Sequence, residues 1–155
     1  MFIEKLSLLL EQSNSKIMII NEFSLMASFT EYNNLYFGGV LPYPQFGLLH
    51  GCQTVGYFSY LYDVPFGTSE KIEITDFYDY TEKQFRDVMV HEMIHYYLYY
   101  TGEDVRVKHG KAFKRKANEL NQAYGLNISQ YVDISHMKPR KGAPLLSRLW
   151  FKIIN

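Results

Sequence analysis

The chain has 155 residues, enough for one domain with a single core, and its 47% hydrophobic and 21% charged content is ordinary for a globular protein. Sixteen Lys and Arg balance sixteen Asp and Glu, so no global charge draws it towards nucleic acid or an anionic membrane. The single cysteine, Cys52, excludes an internal disulfide scaffold and a cysteine-based zinc finger.

The first helix expected is short and amphipathic, over residues 3–12, with Ile3, Leu6, Leu9 and Leu10 on one side. Its apolar run is too short for a signal peptide. No stretch approaches the roughly 20 apolar residues of a membrane span. A cytoplasmic protein without a membrane partner is expected. Ser13 to Ser15 form a polar break. A second helix is expected over 22–36, with Phe23, Met26, Phe29 or Thr30, and Asn33 at helical spacing, closed by Gly38-Gly39. Pro42 and Pro44 then keep the chain extended.

Three strands follow. The first covers 45–50. The second covers 54–61, with Val55, Tyr57, Ser59 and Leu61 on one face and Gly56, Phe58 and Tyr60 on the other. The third covers 70–75, where Ile72 and Ile74 alternate with polar residues, after a turn supplied by Pro65, Gly67, Thr68 and Ser69. The 14 tyrosines suit packing in a core and on sheet faces, and a peptide-binding groove as well.

Thr81, with Gln84 three residues on, opens the main helix in a capping-box pattern, and Gly102 stops it. A further helix spans about 110–124, with Phe113, Ala117, Leu120 and Tyr124 as its buried stripe and Gly125 as its end. Residues 129–134 suggest a short strand. Residues 138–155 carry Lys138, Arg140, Lys141, Arg148 and Lys152 and no acidic residue. They form a basic tail, from which at most weak, salt-sensitive DNA contact is expected. Its Leu145, Leu146, Leu149, Trp150 and Phe151 offer a different use, packing against the domain with the charges facing water.

The chemistry is concentrated in His91-Glu92-Met93-Ile94-His95. Residues four apart on a helix lie one turn apart on the same face. Two imidazoles so placed can reach one zinc ion at about 2.0–2.1 Å. Glu92 stands one residue off that row, at the edge of the same face. It is therefore placed to meet an activated water rather than the metal. A third protein ligand must come from beyond the turn. His109 ranks first, since the chain can reverse at Gly102 and bring it back. Glu119 ranks second, and Glu103 and Asp104 sit nearer but in the connecting loop. His50 and His136 are remote and are read as structural or exposed.

Several linked segments resemble the SprT-like metalloproteases, the family of Spartan, which cleaves proteins crosslinked to DNA. Tyr32-Asn33-Asn34-Leu35-Tyr36-Phe37-Gly38-Gly39-Val40-Leu41-Pro42 resembles that family's helix end and glycine turn. Gly56-Tyr57-Phe58 resembles its glycine-led strand, His91 to His95 its zinc motif, and His109-Gly110-Lys111-Ala112-Phe113 its third-ligand segment. The resemblance covers about residues 22–124. It implies an α+β, zincin-like metalloprotease domain with N-terminal helices, a small mixed β-sheet, an HExxH helix and a following helix. It also implies peptidase activity on a protein or peptide substrate, among them DNA-associated proteins, with Zn2+ held by His91, His95 and His109, the last as third ligand. Glu92 is then the general base. Residues 1–137 would form the protease domain and 138–155 its basic tail. The family's C-terminal zinc ribbon has no counterpart here, so DNA-dependent activation does not carry over. The competing expectation is a zinc-stabilised module that binds DNA or a protein with little hydrolysis. The sequence names neither an oligomeric state nor the group that would steady the oxyanion.

Overall fold

The computed structural model describes residues 3–5, 16–63, 65, 67–103 and 105–154. Ile3 to Lys5 are helical. The rest of the helix expected over 3–12, and the polar break at 13–15, lie outside the described residues. Asn21 caps helix α1 (Glu22–Phe37): its side chain accepts from the Ser24 amide at 2.8 Å while Ser24 Oγ accepts from the Asn21 amide at 3.0 Å. This reciprocal cap satisfies two of the orphan N–H groups of a helix start and is worth about 1 kcal/mol. Gly38 ends the helix. The buried Asn33 amide then grips both backbone groups of Leu41 and closes the following turn.

The buried face of α1 matches the expected spacing only in part. Phe29 and Asn33 are buried, together with Leu25, Ser28, Tyr32 and Phe37, whereas Phe23 and Met26 are exposed. Apolar residues encircle this helix, so periodicity alone could not choose the side. Packing against the sheet and the next helix chose it.

Strands β1 (Gln45–Leu49), β2 (Gly56–Asp63) and β3 (Gly67–Thr75) form a mixed sheet in the order β1-β3-β2. Pairing of β1 with β3 is parallel, and that of β2 with β3 antiparallel, with Phe58 opposite Ile72 and Asp63 opposite Gly67. Strand β3 therefore begins at Gly67 and absorbs Thr68 and Ser69, which had been expected in the turn. The hairpin register fixes this, because every β2 residue through Asp63 finds a partner. Strand β2 is left at the edge of this sheet.

A second, two-stranded sheet pairs β4 (Tyr78–Asp79) with β5 (Lys138–Pro139). Helix α2 (Glu82–Tyr100) starts at Thr81, whose side chain accepts from the Gln84 amide while Gln84 Oε1 accepts from the Thr81 amide. Gly102, at φ 71°, lets the Glu103 amide return to the Leu98 carbonyl at 2.9 Å and reverses the chain. Helix α3 (Lys111–Tyr124) follows, burying Phe113, Ala117 and Leu120; Tyr124 is half exposed, outside the expected stripe, because it lies at the helix end with its ring edge on Tyr36.

The core lies where α1 and α2 cover the sheet: Phe29, Ile72, Ile74, Met89 and Met93 are fully buried there. An aromatic column runs along this seam. Phe29 stacks on Tyr96, Tyr96 on Phe58 at 5.1 Å, and Tyr60 on Tyr99 at 4.2 Å. These contacts hold β2 against α2.

Residues 129–134 form no strand. The Ser129 carbonyl and the Gln130 side chain instead serve the histidine site described below. After β5, Arg140 is held by Asp76 through its backbone carbonyl and its carboxylate. Helix α4 (Leu145–Ile154) rests on the domain through Phe151, which meets Phe77 and Tyr78 at 5.9 Å. Leu145, Leu146, Leu149 and Trp150 stay exposed, so only Phe151 of the five apolar residues packs as foreseen. No helix of the described residues is long and apolar enough to cross a membrane. The architecture is mixed α+β.

Candidate metal centre

His91 and His95 face the same way from one turn of α2. His109 reaches them from the α2–α3 connection, next to Gly110, the N-cap of α3. Their Nε2 atoms form a triangle with edges of 3.1, 3.2 and 3.3 Å. Four ligands set tetrahedrally at about 2.0–2.1 Å would be about 3.3–3.4 Å apart, so the triangle is nearly the base of such a site. Among the described residues these three form a group able to hold a metal ion.

The ring of Phe113, one turn into α3, lies under all three, 4.7 to 4.8 Å from each imidazole. Glu119 is exposed and paired with Lys116; Glu103 pairs with Arg115. His50 is exposed and bonded to Asp76, and His136 is exposed near the far side of His91. Asp104 lies outside the described residues.

The tautomer of His91 follows from its neighbour. Its Nδ1–H donates to the Ser129 carbonyl at 3.0 Å, which leaves the Nε2 lone pair free to ligate. Gln130 donates to the His109 carbonyl at 3.3 Å, so the segment after α3 supports two of the three histidines. Burial pushes His91 down to about 4 and His95 down to about 3, with charges on the neighbouring histidines adding to the effect. Burial lowers His109 too. All three are neutral near pH 7, the form a metal requires.

Glu92 is buried, with 5% of its surface exposed. Burial pushes its carboxyl up to about 8, against the amide of Phe58, which donates to it, and the charge of Lys108. The reason for glycine at 56 is steric: a Cβ there would stand 2.7 Å from Glu92 Oε1. We expect Gly56→Ala to displace the Glu92 side chain and to destabilise the fold by about 1–3 kcal/mol, the usual cost of overpacking. Urea unfolding of both proteins checks this, and unchanged stability would show that the strand yields instead.

The direction in which β2 presents its backbone also follows. Thr75 donates to the Val55 carbonyl at 2.9 Å, and the Phe58 amide points to Glu92. In an antiparallel ladder the inward bonds fall on alternate residues. Hence Tyr57 and Ser59 bond to β3, while Gly56, Phe58 and Tyr60 turn their backbone groups towards the open edge. That edge, with Leu98, Tyr99 and Lys108, walls a cleft of about 490 Å³ that ends on the histidines. A polar cavity of about 300 Å³, lined by Asp87, Ser129 and Tyr131 among others, opens on the other side of His91.

In the metal-free chain these shifts give stability a definite pH dependence. Below about pH 6.5 the unfolded chain protonates histidines that the folded chain keeps neutral, so stability rises with pH up to there. From about 6.5 to about 8 the folded chain retains the Glu92 proton that the unfolded chain has lost, so stability falls, by about 2 kcal/mol. Glu92→Gln should abolish the fall. Urea unfolding of both metal-free proteins at the two pH values tests it, and an equal fall in both would be the contrary result.

The three histidines singled out in the sequence come together, with Glu92 buried beside them. Sequence reasoning missed the Ser129 carbonyl, the contact of Gly56 with Glu92, and Lys108. For two of these a signal was present: a glycine heading a strand, and a lysine directly before the third histidine.

The sequence model of the SprT-like family matches residues 25–132, from α1 through the segment after α3, and so includes every residue of this centre. No curated protein matches the chain.

Proposed function

Because the chain belongs to the SprT-like family and its three histidines converge on one point, we propose that it is a zinc-dependent metallopeptidase. In this reading His91, His95 and His109 hold the ion and Glu92 is the general base, in a zincin-like arrangement. The observation that carries it is the pairing of a near-tetrahedral Nε2 triangle with a buried carboxylate one residue off the ligand row. A purely structural zinc site has no use for such a carboxylate.

Zinc in this site supplies Lewis-acid activation of a water and of the scissile carbonyl. The polypeptide does the rest. Glu92, whose burial-raised carboxyl a dication on the three histidines would return to the ionised form, takes a proton from the attacking water and returns it to the leaving amine. The Phe58 amide aims the carboxylate, and Ser129 keeps His91 in its ligating tautomer. The outward backbone groups of β2 would pair with an extended substrate, which favours unfolded or loop segments over compact domains.

The second reading, a binding module with little hydrolysis, draws on the basic tail. Arg140 is already engaged by Asp76, which leaves Lys138, Lys141, Arg148 and Lys152 for phosphates. We propose at most weak, salt-sensitive DNA contact there. Casein digestion tests the main reading: activity should vanish with a chelator and return with zinc. A folded, zinc-loaded chain that leaves casein intact would favour the module.

A further inference from the structure

Lys108 precedes the third histidine, on the wall of the cleft opposite β2. Its Nζ crosses towards that strand and lies 4.9 Å above the centre of the Tyr57 ring. Among the described residues no carboxylate pairs with it. Of the described residues that line the cleft, Glu92 alone is acidic, and the Phe58 amide already holds that carboxylate. The lysine charge is close enough to lower the basicity of Glu92, His95 and His109. The open end of the cleft thus has a spare cation, held in place by an aromatic face, and no anion.

The geometry of β2 decides what meets that cation. A peptide pairing with the Phe58 carbonyl and the outward groups of Tyr60 would extend the sheet by one strand. Its side chains on the Tyr57 face would lie about 4.5–5.5 Å across from their neighbours on β2, within the sweep of a lysine.

We propose that Lys108 selects for a carboxylate on the bound peptide, next to Tyr57 and close to the scissile bond, so that the cleft favours acidic extended segments over neutral or basic ones. This rests on the peptidase reading of the same site. Tyr57 is the positioning residue: it keeps the ammonium over the cleft until a carboxylate replaces the ring. An Asp or Glu side chain and a C-terminus both supply such a carboxylate and satisfy the same chemistry.

The test uses the zinc-loaded full chain and unstructured fluorogenic peptides differing only in Glu, Gln or Lys at one position, each made with a free and an amidated C-terminus. The wild type should favour the Glu peptide over the Gln peptide about tenfold in kcat/KM, and less as salt rises. Lys108→Arg should keep the ratio, Lys108→Met should bring it near one, and Lys108→Glu should invert it in favour of Lys. Tyr57→Phe should preserve it and Tyr57→Leu reduce it. A preference seen only with free C-termini assigns the carboxylate to the chain end. Equal cleavage of all peptides by the wild type overturns the proposal. So does a Lys108→Met variant that slows Glu and Gln peptides by one common factor, which would place the lysine on the reacting carbonyl. Anisotropy with the same peptides on Glu92→Gln protein needs no turnover. Charge-selective binding there without cleavage by the wild type would sink the peptidase reading and sustain the selection. Binding without charge preference, or none, overturns the selection.

Discussion

Replacing Glu92 by Gln should leave one zinc ion per chain and lower kcat by about 10²- to 10⁴-fold, the usual contribution of a positioned general base. The substitution is nearly isosteric. Its amide oxygen can still accept from the Phe58 amide, so the side chain stays in the space that Gly56 leaves for it. What the amide cannot do is take a proton from water. The metal should stay because the ligand triangle is made by the three imidazoles. Inductively coupled plasma analysis and peptide kinetics on one preparation suffice. Loss of zinc together with activity would make Glu92 part of the metal's support, and full activity would end its role as base.

His109→Ala should weaken zinc binding by more than about 100-fold, exceeding the 10- to 100-fold usual for losing a mere supporting partner. Two ligands on one helical turn cannot close a stable site, and no described carboxylate stands ready to replace the third. Glu119 is occupied with Lys116 and Glu103 with Arg115. Competition with a fluorescent chelator gives the affinity, and circular dichroism shows whether the variant is folded. Glu119→Gln serves as the control and should bind as the wild type does. An unchanged affinity for His109→Ala would transfer the third position to another residue.

The parts of this molecule legible in its sequence are those governed by neighbours in the chain. Thr81 with Gln84 announced the start of α2, and Gly38, Gly102 and Gly125 announced three helix ends, because caps are made within a few residues. The pair His91 and His95 was legible for the same reason, and His109 because a short connection returns it to them. The family's own pattern added Gly56 at the head of β2. What eluded the sequence depends on residues brought together by folding. The buried side of α1 was chosen by β1 and α2 from a helix apolar all round. Residues 129–134 look like a strand because Val132 and Ile134 alternate with polar residues, yet Ser129 and Gln130 serve histidines far upstream. Lys108 gained its place only when β2 carried Tyr57 to it.

The close approach of Gly56 and Phe58 to Glu92 divides the site by folding order. The outermost two ligands, His91 and His109, are only 18 residues apart in the chain, so closing that loop costs little entropy and the helical hairpin can capture its ion early. Glu92 is seated from further away in the chain, by Gly56 and Phe58, which precede it by 36 and 34 residues. Contacts across the longer span close later. A nascent or partly unfolded copy can therefore be metallated while its carboxylate has no fixed aim. On the peptidase reading, this late contact acts as an internal safety catch, sparing the cell's other unfolded chains from a protease that is itself unfinished.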